Sequence, residues 1–167
     1  MMHSSEISTG DLPSSLITTA RLKLSLLTLQ DAPMILALLN EPSFIANIGD
    51  RQVRDLQQAK QYLENGPLAS YRQHGFGLYK VTLRENGCPI GLSGLVKRDF
   101  LAAPDLGYAL FPQYCAMGYA TEATQAVYQY AKTVLGISAV VAIVLAKNHA
   151  SVRVLQKVGL KRQGIIQ

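Results

Sequence analysis

The residues of this chain best suited to chemistry stand in two short stretches. In the first, Leu106, Tyr108, Leu110 and Phe111 have strand chemistry, Pro112 stops that strand, and Cys115-Ala116-Met117-Gly118-Tyr119-Ala120 leads into apolar residues at helical spacing, Ala120, Ala123, Val127, Ala131 and Val134. A loop that opens a helix leaves backbone N–H groups unpaired and adds the positive end of the helix dipole, which suits a phosphate or pyrophosphate. The same spacing also describes an ordinary strand-to-helix connection, and one glycine-containing loop does not choose between the two. In the second stretch, Asn148-His149-Ala150-Ser151 opens a later helix, where Asn148 and Ser151 read by residue type as caps. Glu122, in the first turn of the earlier helix, is accounted for by the dipole. His74 and His149 have no catalytic partner in sequence, and Tyr108 and Tyr119 read as packing residues. Cys88 and Cys115 are too few for a disulfide framework and have no metal-ligand spacing, so free thiols and no metal are expected.

Composition bounds what must position these residues. At 167 residues with 49% hydrophobic content, the chain can fill the core of one domain. No apolar run is long enough to span a bilayer, and residues 1–18 lack a signal peptide's basic start and apolar core. They are expected to be a disordered leader before a single domain over 19–167, with a cytoplasmic location by default. The net charge of +5 suits an anionic partner such as a phosphorylated cofactor. Basic residues occur in pairs (Lys97-Arg98, Lys161-Arg162) or singly, without interleaved aromatics, so nucleic-acid binding is unsupported.

Leucines at 22, 24 and 26 alternate with polar residues as a first strand. Thr28 to Asp31 has capping-box spacing ahead of Pro33, which predicts a helix to about Asn40. Glu41 to Val53 reads as a loop with a short helical turn. Asp55 caps a helix that Asn65-Gly66-Pro67 should end, and a short helix over 68–73 follows. Phe76 to Arg84 and Cys88 to Val96 alternate around Asn86-Gly87, a two-residue hairpin signal, and Gly91 and Gly94 mark a bulge or a close approach by a neighbouring chain. With the strand before Pro112, that makes three consecutive antiparallel strands. Ile137 to Leu145 reads as a strand buried on both faces, the last helix ends at Gly159, and Leu160 to Ile166 can supply one more strand.

Two motifs at their proper separation, G-Y-A-L-F-P-Q-Y-C-A-M-G-Y-A-T-E-A and N-H-A-S-V-R-V-L-Q-K-V-G-L, resemble the GNAT acetyltransferases, particularly the branch that includes the ribosomal-protein alanine acetyltransferases. The opening T-A-R-L-K-L and the I-G-D-R loop are similar to that branch as well, and the likeness runs from Thr19 to Gly164. It implies an α+β fold, with a mixed, mostly antiparallel sheet flanked by helices and splayed between its fourth and fifth strands to admit acetyl-coenzyme A. It implies transfer of acetyl to a primary amine, on a protein N-terminus or a small molecule, by direct attack in a ternary complex.

By the same resemblance, backbone N–H groups around Leu110 and Phe111 hold the pantetheine and polarise the thioester. Cys115, Ala116, Met117, Gly118, Tyr119, Ala120 and Thr121 cradle the pyrophosphate, Asn148 contacts the coenzyme arm, and Ser151 protonates the leaving thiolate. Asp105 is the candidate base for the acceptor amine, ahead of Asp99 and Glu85. The loop departs from the family at three places: Cys115 stands where Arg or Gln is usual, Ala116 replaces a glycine able to take positive φ, and Met117 removes a cation. The family's final strand is expected to be missing or shortened here, and a homodimer is compatible with the resemblance. A coenzyme-A-binding regulator is the alternative that the altered loop favours. A dinucleotide-binding module is disfavoured, because no glycine fingerprint follows the first strand. The segments that would shape an acceptor site, 41–54 and 97–104, carry no diagnostic charge pattern.

Overall fold

A computed structural model describes residues 15–166. One antiparallel sheet runs in the order β1 (Ile17–Thr18), β2 (Leu22–Ser25), β3 (Leu78–Leu83), β4 (Pro89–Val96) and β5 (Asp105–Leu110). Ile17 pairs with Leu24, so the sheet takes in residues that the sequence assigns to a leader, and residues 1–14 lie outside the described residues. The hairpin between β3 and β4 forms at Asn86-Gly87 with a loop of four residues, 84–87, not two. Leu83 N donates to Cys88 O at 2.9 Å, and Gly87 takes φ 71°. Both glycines of β4 prove to be close-approach positions. A Cβ on Gly91 would lie 2.1 Å from Ala109 O and one on Gly94 2.2 Å from Gly77 O, and the β3–β4 register shifts beside Gly91.

Helices α1 (Ala32–Leu39), α2 (Pro42–Asn47), α3 (Leu56–Leu63) and α4 (Ala69–His74) lie between β2 and β3 in the chain. The Thr28–Asp31 capping box forms, and Asp55 accepts from Gln58 N at 2.8 Å. Asn65-Gly66-Pro67 does not end the helical path. A π-helical turn over Glu64–Leu68 carries it from α3 into α4. Proline has no N–H to give and clashes with the carbonyl four residues back in a regular helix, and the wider turn accommodates it.

The apolar residues form two cores. In one, α5 (Tyr119–Thr133) buries Ala123, Val127 and Ala131 against Leu24, Val81 and Ile90 of the sheet. In the other, Ile35, Leu38, Ala59 and Leu63 of α1 and α3 gather with Leu92 of β4. α6 (His149–Val158) packs on α5 and ends at Gly159 in the left-handed conformation.

Two predicted strands do not form. Residues 137–145 pass beside the start of β5, but join it by a single parallel bridge, Asp105 to Val141. Nor is the segment buried on both faces: Val141, Ile143 and Leu145 are 36%, 43% and 45% exposed. β-branched composition favours extended backbone, but a strand needs a continuous ladder, and here the ladder parts after one rung. Leu160 to Ile166 has no strand partner among the described residues, and Ile165 and Ile166 are exposed. The mixed character of the sheet is thus confined to that one parallel bridge.

Candidate active site

The loop between β5 and α5 is built to leave donors free. Pro112–Tyr114 makes one 3-10 turn, in which Cys115 N donates to Pro112 O at 3.1 Å. Ala116 then takes φ 60° and Gly118 φ 83°, two left-handed residues that turn the chain sharply into α5. No side chain caps the helix, and Glu122 N, on Gly118 O at 3.0 Å, is the first amide the helix satisfies. The amides of Ala116, Met117, Gly118, Tyr119, Ala120 and Thr121 therefore open toward the loop, an arrangement that fits a pyrophosphate. Cys115 contributes no such donor, because its N–H is already used. Its thiol lies 3.7 Å from Phe111 O, and burial pushes the thiol's pKa up.

A clamp that sequence reading missed fixes this loop. Arg21 Nε donates to Glu122 Oε1 at 2.8 Å, Arg21 N to Glu122 Oε2 at 2.9 Å, and Thr19 Oγ1 to the same Oε2. Arg21 Nη1 also donates to Met117 O at 3.0 Å, and its guanidinium lies 4.3 Å over the Tyr119 ring. Burial alone would raise the Glu122 pKa, but the bonds from Thr19 and Arg21 outweigh it and hold the carboxyl below its ordinary value. Glu122 thus does more than complement the dipole, and Arg21 brings to the loop the cation that Met117 does not supply. T-A-R in the turn between β1 and β2 and E in the helix's first turn were the only local signals, with Arg21 and Glu122 101 residues apart.

Along β5, Leu106 N donates across the splay to Val141 O at 2.7 Å, whereas Phe111 N donates the other way, to Ile90 O at 2.9 Å. The two-residue repeat of a strand places the amides of Tyr108 and Leu110 on the splay side with that of Leu106. Of the two residues expected to hold a pantetheine, Leu110 presents its N–H to the splay, and Phe111 has committed its own to β4.

Asp105 is a buried carboxylate with a hydrogen-bond partner on each oxygen. It is 5% exposed, with Oδ2 accepting from Arg98 Nε at 2.8 Å and Oδ1 from Ile143 N at 3.2 Å. With Val141 N on Pro104 O at 2.9 Å, this carboxylate clasps residues 137–145 to the start of β5. Asp99 and Glu85 are exposed.

At the start of α6, Asn148 does cap: its Oδ1 accepts from Ser151 N at 3.2 Å, which leaves its side-chain NH2 for another partner. Ser151 Oγ donates to Tyr108 Oη at 3.0 Å, so Tyr108 is more than packing. Burial pushes the Tyr108 phenol up, the Ser151 hydrogen bond works against that rise, and the Cys115 thiol adds to it. The structure therefore brings together Tyr108, Cys115 and Ser151, with Leu110 on the same strand. His74 ends α4, in a different part of the fold.

An open groove of about 510 Å³ lies beside α3, lined by residues that include Arg51, Gln61 and Tyr62. Among the described residues, no cluster of His, Cys, Asp or Glu could hold a metal ion, and no helix is long and apolar enough to cross a membrane.

Residues 21–161 match the acetyltransferase (GNAT) domain family. The uncharacterized N-acetyltransferase YoaA of Bacillus subtilis is 27% identical over 154 residues, covering 91% of this chain and 86% of its own. The crystal structure of an acetyltransferase from Agrobacterium tumefaciens is 26% identical, with a TM-score of 0.74 and coverage of 86% of this chain and 81% of its own. RimL, a ribosomal L7/L12 alpha-N-protein acetyltransferase solved with coenzyme A, superposes with a TM-score of 0.76 at 16% identity, covering 87% and 83%. At that identity the likeness to RimL is one of fold, and the relatives do not single out the ribosomal-protein branch that the motifs suggest. The chain is an acyltransferase enzyme and belongs to the GNAT acetyltransferase family.

Proposed function

We propose that this enzyme transfers acetyl from acetyl-coenzyme A to a primary amine, on a protein N-terminus or a small molecule, by direct attack in a ternary complex. The observation that carries the reading is the uncapped start of α5, where consecutive free amides and the Arg21 guanidinium converge on one loop. The amides of residues 116–121 would bind the pyrophosphate, and the Tyr108 and Leu110 amides on the splay edge of β5 would hold the pantetheine and polarise the thioester carbonyl. The side-chain NH2 of Asn148 would contact the coenzyme arm, and the Ser151 hydroxyl would give its proton to the departing thiolate. The amine would enter as its neutral form, set by solution pH, because both oxygens of Asp105 are committed. The fold relative solved with coenzyme A supports the choice of donor.

The test is acetyl transfer from acetyl-coenzyme A to a panel comprising an alanine-terminated peptide, spermidine, free amino acids and an aminoglycoside. Transfer to at least one amine is expected, and Ser151→Ala should lower kcat by about tenfold to a thousandfold with coenzyme affinity nearly intact. Tight binding of coenzyme A without transfer to any amine of the panel would overturn the proposal.

A further inference from the structure

Tyr108 stands on β5 opposite Ser93 of β4 and reaches Ser151 across 43 residues of sequence. Ser151 occupies the third position of α6, its backbone fixed by the Asn148 cap, so its hydroxyl has little freedom except rotation about its own side chain. Among the described residues, the Ser151 and Tyr108 hydroxyls have no hydrogen-bond partner but each other. Each carries one rotatable proton and two lone pairs, so either can donate. Both flank the splay edge of β5 that the proposed function assigns to the pantetheine, and the present inference rests on that assignment.

We propose that Tyr108 is the positioning residue for Ser151 and the second hydroxyl of a proton relay to the leaving sulfur. When the C–S bond of the tetrahedral intermediate breaks, its electron pair stays on sulfur, and sulfur takes the Ser151 Oγ proton. Ser151 Oγ takes the Tyr108 Oη proton in the same event, as the hydrogen bond between them reverses. The phenolate recovers a proton from water once the product thiol has left, and the proton lost by the attacking amine balances the one gained by sulfur. An alkanol alone is a poor acid for this task. A phenol, ordinarily titrating at about 10, is far closer to a thiol at about 8.5. Because the phenol is half-buried beside an uncharged thiol, it stays protonated through the neutral range and is ready to donate.

Tyr108→Phe keeps the ring and removes only the hydroxyl. With the fastest amine of the panel, it should lower kcat about tenfold to a hundredfold with the KM for acetyl-coenzyme A unchanged. The Ser151→Ala/Tyr108→Phe double variant should be no slower than Ser151→Ala alone, since the two hydroxyls act in series. A second readout needs no acceptor: in the complex with coenzyme A, the thiol followed by thiolate ultraviolet absorbance should titrate higher in Tyr108→Phe than in wild type, because the thiolate loses its hydrogen-bonded chain. If Tyr108→Phe folds poorly, 3-fluorotyrosine at position 108 lowers the phenol pKa without changing its shape, and the alkaline limb of kcat should move down with it. Wild-type kcat together with an unchanged thiol titration in Tyr108→Phe would overturn the relay, as would losses that multiply in the double variant. Failure of the wild type to bind coenzyme A would overturn the proposed function first, and the relay with it.

Discussion

The two sides of the cleft proposed for the coenzyme are held in opposite ways. On the α5 side, Thr19, Arg21, Glu122 and the Met117 carbonyl form a mesh of charge-assisted hydrogen bonds between the β1–β2 turn and the loop that opens α5. On the splay side, residues 137–145 hang from β5 by three hydrogen bonds, one of them to the Asp105 carboxylate, which in turn pairs with Arg98. A phosphate cradle works through fixed amide directions, so many anchors suit it. A cleft that must admit a pantetheine needs its two walls apart, and one buried carboxylate can bind a neighbouring amide without closing the ladder beyond it. The difference teaches that redundancy belongs to the loop and economy to the splay.

Breaking the splay should therefore do the most damage. Asp105→Ala leaves Arg98 and the Ile143 amide without their acceptor; the Arg98 side chain is 36% exposed and can turn to water, so the cost should be about 1–3 kcal/mol of stability by urea unfolding. Amide hydrogen exchange should quicken at Val141 and Ile143 in the same variant.

The mesh should fail more gently. Glu122→Gln keeps one acceptor oxygen and removes the charge opposite the half-exposed Arg21, so about 1 kcal/mol is expected after allowance for solvent screening. Its pH dependence has a definite sign. The folded-state pKa of Glu122 lies below its ordinary 4.5, so its stabilisation is full above that value and is lost as pH falls through the folded value. The gap between wild type and Glu122→Gln should be constant near neutrality and close on acidification. A gap that widened in acid would contradict the clamp.

The smallest effect should come from relieving the loop. Ala116 sits at φ 60°, where a side chain costs about 1–2 kcal/mol and glycine nothing comparable. Ala116→Gly should tighten coenzyme A binding by less than about tenfold, since the freer unfolded and unbound loops offset part of the gain.

Local chemistry made much of this legible in the sequence. Thr28, Asp55 and Asn148 cap where their side chains and neighbours indicate, Gly91 and Gly94 are where two backbones meet, and Pro112 and Gly118 bound the loop. What stayed hidden depends on partners distant in the chain. Ile137 to Leu145 has strand composition, but no composition reveals that its ladder parts after Val141. The partners of Asp105, Arg98 and the Ile143 amide, come from separate segments, and the pairs Arg21–Glu122 and Tyr108–Ser151 have no local signature. Pro67 misled for a different reason: it forbids a regular helix, but not a wider turn.

The central claim is that the backbone amides opening α5 hold the coenzyme's pyrophosphate, and calorimetric titration with coenzyme A tests it most directly. Gly118 holds φ 83°, and a Cβ there would lie 3.1 Å from Arg21 Nη2, so Gly118→Ala should distort the cradle while altering little else. The account predicts one coenzyme A bound per chain by the wild type and an affinity about tenfold weaker or worse in Gly118→Ala, a loss of about 1.4 kcal/mol. Equal affinity in the two proteins would place the pyrophosphate elsewhere, and no binding by the wild type at millimolar coenzyme A would contradict the account outright.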